Sequence, residues 1–460
     1  IRSVRVNDVA LHYDDRQGGS IYDVTIPDLE TGAIRFDEPT HLLAEVHIDD
    51  NAGMTSDVNA EGDITLGKGF GKVAFSGLKL RQTTELPDMS PINVQLTLDG
   101  TFDLNKSALD TSLAGTVNNS SLKGKLQADL ADIVSANFNL ALDKLNVNDY
   151  LGDDMAGEPA PASSADVGDG MKSAPPEDTQ VLPLDLMRSF KLDGKLTVDS
   201  ITYDSWQFSD FSAKIVNDTK KLSAILGMKG YDGEMAIDFT GSSEGSGAGL
   251  TRMNVNGIDL TKLLGFESVT GKITFDSNTT FTGNMLSDVL KTLDGTTTFA
   301  IDNGTLDVTP VKKLAAAVDA LRGKQSSVAN WPDKMPFDHL GGQHRFIKGV
   351  SADQQFNFSM ELMEAKGTGG LDYFGNHLAY DIAVKLAENP TGQFQISKDL
   401  ANIEWPIHCE GSLDDSPADL CRPDKSALEK MITGAAKEKL KEKVQEKVGD
   451  KLKDLFKGLR

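Results

Sequence analysis

Apolar side chains occupy alternate positions in run after run of this chain, separated by Asp, Asn, Thr and Ser, and a period of two leaves little choice of fold. The stretch from 269 to 322 shows it most fully. Ile273 and Phe275, Thr279 and Phe281, Phe299 and Ile301, then Leu306 and Val308 alternate with polar residues, so each strand has one oily and one wet face. Gly295 and Asp302-Asn303-Gly304 carry turn chemistry, which predicts consecutive antiparallel hairpins. Leu286, Val289, Leu290 and Leu293 predict a short helix. Val311, Leu314, Val318 and Leu321, behind Thr309-Pro310, predict another. The segment reads strand, strand, helix, strand, strand, helix.

The same grammar extends both ways. Val4, Val6, Val9, Leu11 and Tyr13 alternate imperfectly; Ile92, Val94, Leu96 and Leu98, and Phe138, Leu140 and Leu142, do so cleanly. Phe356, Phe358, Met360 and Leu362 follow, then Leu378, Tyr380, Ile382, Val384 and Leu386. A faint repeat links the opening segment to 192–239, as if one sheet-building unit were duplicated. The reading is mainly β: an elongated, curved antiparallel sheet, an open groove or taco-like trough of repeated hairpins with short helices.

Composition changes twice. Residues 152–183 are Pro, Ala, Ser, Gly and acid, a solvated linker dividing a first segment, 1–151, from a second, 184–424. From 425 to 460, Leu440, Val444, Val448, Leu452, Phe456 and Leu459 recur at helical spacing among Lys and Glu, predicting a basic amphipathic C-terminal helix. The whole chain holds 46 Lys and Arg against 69 Asp and Glu, a net charge of -23, which argues against a nucleic-acid partner. No apolar run is long enough to cross a membrane, and the first residue is Ile1, so any anchor is expected to precede it.

Catalytic signatures are missing from the motif inventory. His339 is not followed by a Glu in HExxH spacing, Gly67-Lys68-Gly69-Phe70-Gly71-Lys72 lacks the Ser or Thr of a phosphate loop, and no GxSxG elbow occurs. These residues read as surface histidines and a hairpin turn, and no cofactor or metal is expected. Cys409 and Cys421 fail zinc spacing; an oxidised pair is the better reading, closing a loop worth roughly 3 kcal/mol in an oxidising compartment.

TLDGTTTFAIDNGTLDVTPVKKL, VRVNDVALHYDD and IEWPIHCEGSLDDSPADLCRPD together resemble segments of the AsmA family of bacterial periplasmic proteins. TLDGTTTFAIDNGTLDVTPVKKL is similar to a recurring segment of that family's C-terminal region. VRVNDVALHYDD resembles its opening sheet unit, and LPLDLMRSFKLDGKLTVDSITYDSWQFSDF its second. MKGYDGEMAIDFTG, around Tyr231 and Gly233, resembles a YxG hairpin, and Gly367 to Asp372 a GxGxLD turn. IEWPIHCEGSLDDSPADLCRPD is similar to the closing segment, with Trp405 and His408 in place of small or branched residues. The likeness spans residues 1 to 424 and lacks the family's N-terminal membrane helix.

It implies a non-enzymatic periplasmic protein, anchored to the inner membrane through that missing helix, which carries phospholipid along an apolar groove towards the outer membrane and supports outer-membrane assembly. The expected partners are phospholipid acyl chains, with the outer membrane or its proteins met through the C-terminal helix. The alternative is an assembly scaffold for outer-membrane proteins without lipid. Candidate groove residues are Ile273, Phe275, Phe281, Phe299, Ile301, Phe356, Phe358, Met360, Ile382 and Val384.

Overall fold

A computed structural model describes residues 2–15, 20–50, 52–87, 89–131, 133–151, 179–264, 269–309, 312, 316, 331–351, 354–360, 363–372, 377–387, 404–412 and 421–423. The protein is mainly β, its strands joined in an open antiparallel sheet. Two compact units can be distinguished, residues 1–258 with 280–289, and residues 259–279 with 290–460.

The first unit contains β1 (Val4–Asp15), β2 (Ser20–Thr31), β3 (Pro39–Asp49), β4 (Thr55–Leu66), β5 (Lys72–Glu85), β6 (Ile92–Asp103) and β7 (Ala108–Val117). It continues with β8 (Ser120–Asp129), β9 (Val134–Asn146), helix α1 (Leu184–Ser189), β10 (Phe190–Tyr203), β11 (Trp206–Asn217), β12 (Lys221–Gly230), β13 (Gly233–Ser242) and β14 (Ala248–Asp259). Each strand pairs antiparallel with the next, except that β10 lies parallel to β9. A parallel neighbour requires a long return connection, and the chain between 147 and 189 supplies it.

The sheet runs on from β9 to β10, and the units part at Ile258. Most of the predicted linker, 152–178, lies outside the described residues, but its last part is structural. Val181 donates its amide to the Asn284 carbonyl at 2.7 Å, and Leu182 is buried with Leu184, Met187 and Phe281.

The imperfect alternation of the opening strands has a backbone cause. Asp8 takes a left-handed conformation (φ 57°), and the β2–β3 ladder shifts register between Thr25 and Asp28. Each irregularity changes parity by one, so Val6 and Val9, and Leu29 and Ile26, stay on one side. The Tyr231–Asp232 turn, with φ of 54° and 66°, is a primed hairpin turn closing Gly230 on Gly233, as the motif predicts. Lys68–Phe70 forms a short 3-10 turn between β4 and β5.

The second unit contains helix α2 (Leu260–Leu264), β15 (Lys272–Thr282, its last residues belonging to the first unit), helix α3 (Leu286–Thr292, divided likewise) and β16 (Asp294–Asp307). There follow β17 (Lys334–Ile347), β18 (Val350–Ser351), β19 (Gln354–Met360), β20 (Met363–Asp372), β21 (His377–Leu386), β22 (Glu404–Ser412) and β23 (Cys421–Pro423).

Three expectations change here. Between α2 and Thr309 the order is strand, helix, strand, because β15 and β16 are each continuous. Asp302-Asn303-Gly304 makes no hairpin: Asn303 (φ 53°) sits inside β16 opposite β17, and there both strands switch which parity faces inward. Residues 367–372 form the second half of β20, not a turn.

Thr309, Lys312 and Ala316 are helical; the rest of that predicted helix, and the C-terminal helix from 425, lie outside the described residues. β23 sets Cys421 opposite Cys409, which is disulfide-bonded.

Candidate functional site: an uncovered apolar face

Cross-strand register shows where the oily positions meet. Val6, Leu29, Ala44, Ala60, Leu80, Leu96, Gly115, Leu122, Leu142 and Val198 stand opposite one another in turn, one row crossing ten strands from β1 to β10. A neighbouring row runs Leu98, Leu113, Gly124, Leu140, Leu196, Ala213, Leu226, Ile237 and Met253, from β6 to β14. Side chains directly opposite lie about 5 Å apart, so apolar neighbours within each row are in reach of one another, with gaps at Gly115 and Gly124.

Among the described residues this face has no second layer over much of its extent. Among the described residues of β1 to β9 no hydrophobic side chain is fully buried; the buried ones are Thr31, Thr40, Ser56, Thr111 and Ser120. Leu96, Leu98, Leu113, Leu122, Leu126, Phe138 and Leu140 are all half-buried. A packed sandwich would have shielded them.

Glycines interrupt the rows at positions where the chain has no room for more. A Cβ at Gly100, Gly115 or Gly124 would run into the main-chain carbonyl of Asp110, Gln95 or Asn139, and one at Gly194 into the Phe138 ring. Close approach of neighbouring strands on the apolar side is what glycine permits there. A shallow pocket of about 520 Å³ crosses β7 to β10 where Ala128 and Ala136 stand between Leu109 and Leu192.

The ten candidate groove residues lie in β15, β16, β19 and β21. Ile301, Phe358, Met360 and Val384 are buried in the core of the second unit with Trp331, Met335, Phe337, Met363, Leu386 and Trp405. Ile273, Phe356 and Ile382 are partly buried against that core. Phe281 is buried beside α1 in the first unit. Phe275 and Phe299 are half-buried, and Phe299 lies over Gly342.

Ile301, Leu340, Phe358, Ala365, Val384 and Trp405 do form one row across β16, β17 and β19 to β22. Leu260, Val308 and Trp331 join that row's core, so most of it is covered. Among the described residues, the rows without a fully buried hydrophobic side chain are those of β1 to β9, including the alternating runs at 92–98 and 138–142.

On the wet face, histidines stand directly opposite aspartates. His12 meets Asp23 at 2.6 Å, His47 meets Asp57 at 2.7 Å, His339 meets Asp302 at 2.7 Å and His408 meets Asp381 at 2.8 Å. Hydrogen bonds to Asp381 and to Glu410 raise the His408 pKa, and the bond to Asp23 raises that of His12. Burial lowers that of His344.

A raised pKa in the folded state stabilises fully below the ordinary histidine value, and that stabilisation is lost as pH rises through the folded value. His408→Gln is therefore expected to lower the unfolding midpoint at pH 5.5 and leave it nearly unchanged at pH 8.5. A pH series of denaturant melts on both proteins reads this directly, and an effect growing with pH would contradict it.

Among the described residues, no group of three or more His, Cys, Asp or Glu is placed to hold a metal ion. No helix of the described residues is long and apolar enough to cross a membrane. No family model, curated protein or solved structure matches this chain.

Proposed function

We propose that this chain is an AsmA-like periplasmic protein that carries phospholipid between the inner and outer membranes, its acyl chains lying on the open face of β1 to β9. The observation that carries the reading is the absence, among the described residues of nine consecutive strands, of any fully buried hydrophobic side chain. Apolar area left to water is costly, and burying an acyl chain there recovers about 0.8 kcal/mol per methylene.

The oily rows cross the strands, so a chain lying along them can slide without meeting a polar step and needs no catalytic group. The glycines that admit close strand approach on this side favour curvature towards it. The sequence motifs supply the periplasmic setting, and the disulfide suits an oxidising compartment.

For the second unit, the covered row around Phe358 favours a supporting role, as in a scaffold for outer-membrane assembly. Native mass spectrometry of protein purified without detergent tests the carrier reading. Co-purifying phospholipid is expected, and a lipid-free mass alone would overturn it.

A further inference from the structure

Two rows of the apolar face carry a polar insertion. From β3 to β7 one row reads Val46, Val58, Gln82, Val94 and Val117, alongside the row of Ala60, Leu80 and Leu96. The row beyond it reads Leu11, Val24, Ile48, Ser56, Thr84 and Ile92, from β1 to β6. The other members of both rows are apolar, and the three polar ones lie on the adjacent strands β4 and β5.

These three side chains form one network. Gln82 donates through Nε2 to Ser56 Oγ at 3.1 Å and to Thr84 Oγ1 at 3.0 Å, and the two hydroxyls stand 3.0 Å apart. Both amide hydrogens are thus used, and the bond between the hydroxyls takes one of their two protons. Ser56 is 5% exposed, whereas Gln82 and Thr84 are half-buried. Ser56, shut in, is therefore the donor to Thr84, and the Thr84 proton is left for the accessible side. Among the described residues no further hydrogen-bond partner meets either hydroxyl.

We propose that Thr84, positioned by Gln82 and Ser56, donates a hydrogen bond to an ester carbonyl where the tails of a bound lipid join its head. This deepens the carrier reading and rests on it. The surroundings of the donor select that group. Val58 and Val94 flank Gln82, and Ile48 and Ile92 flank the hydroxyls, so the acceptor has to arrive attached to hydrocarbon. A phosphate would call for a cation, and neither row holds Lys or Arg. The ester oxygen is the acceptor that an acyl chain brings with it, and a hydrogen bond made away from bulk water counts for more. The tails are left to the purely apolar row of Ala60, Leu80 and Leu96.

The test uses the full chain and two synthetic phosphatidylethanolamines, one with palmitoyl esters and one with hexadecyl ethers. The ether lipid lacks the carbonyl and matches the other in head and chain length. The chain is incubated with an equimolar mixture and repurified without detergent, and native mass spectrometry then reads the ratio of the two bound lipids.

The wild-type chain should hold the ester over the ether by about fivefold, the effect of one neutral hydrogen bond. Thr84→Val, which keeps the shape and removes the hydroxyl, should bring that ratio to about one. Thr83→Val, on the exposed wet face of the same strand, should keep the wild-type ratio. Circular dichroism checks the fold of both variants, and the wild-type ratio decides by itself should Thr84→Val misfold. Lipid bound by the wild type without preference, or a preference that survives in folded Thr84→Val, would overturn the proposal and leave carriage intact. Retention of neither lipid would overturn the carrier reading, and this proposal with it.

Discussion

Leu98→Asp combined with Leu140→Asp is expected to strip bound phospholipid from the protein while leaving it folded. Leu98 and Leu140 occupy one row of the open face, separated by Leu113 and Gly124, and both are half-buried. A carboxylate at either point keeps its hydration, because water already reaches the position, so its cost to folding stays near 1 kcal/mol.

An acyl chain crossing the row meets a different surface. Losing contact over roughly four methylenes removes about 3 kcal/mol, or some hundredfold in occupancy. Thr97→Asp with Asn139→Asp makes the matched control, since both residues are exposed and neighbour the same leucines on the other face. Lipid occupancy by native mass spectrometry and the denaturation midpoint together decide it. Equal lipid loss in both double variants, or unfolding of the first, would show that the row is not the carrying surface.

The alternation that announces this face is local, which is why strands such as β6 and β9 could be read directly from residues 92–98 and 138–142. Two things were less legible. Parity changes are written in the same residues as turns, so Asn303 inside β16 looks like a hairpin and Asp8 like noise in β1. Both Asn and Asp tolerate the left-handed region, and only the partner strand decides whether the chain reverses or runs on.

The second is coverage. Phe358 and Leu140 share the same sequence pattern, yet one is fully buried with Trp331 and Met335 and the other only half-buried. Nothing within either strand encodes the distant residues that close one face and leave the other open. Apolar strand faces were thus legible in the sequence, and the degree to which each is covered was not.

That contrast makes Phe358→Asp the change with the largest expected effect on stability. Phe358 is 5% exposed, its ring centroid lies 5.4 Å from that of Phe337, and it stands opposite both Leu340 and Ala365. Removing the ring from a packed core costs about 3 to 5 kcal/mol, and the new carboxylate would have to remain charged without a partner or take up a proton. Their sum approaches the whole stability of an ordinary domain, so the second unit should unfold.

Phe358→Leu keeps most of the volume and should cost only about 1 kcal/mol. Because the open rows of β1 to β9 have their own ladders, the first unit is expected to retain its strands, and chemical denaturation of Phe358→Asp should lose the cooperative transition of the second unit alone. A variant that stays fully folded and merely sheds phospholipid would mean that water and lipid reach Phe358, and that the second unit, too, is a carrying surface.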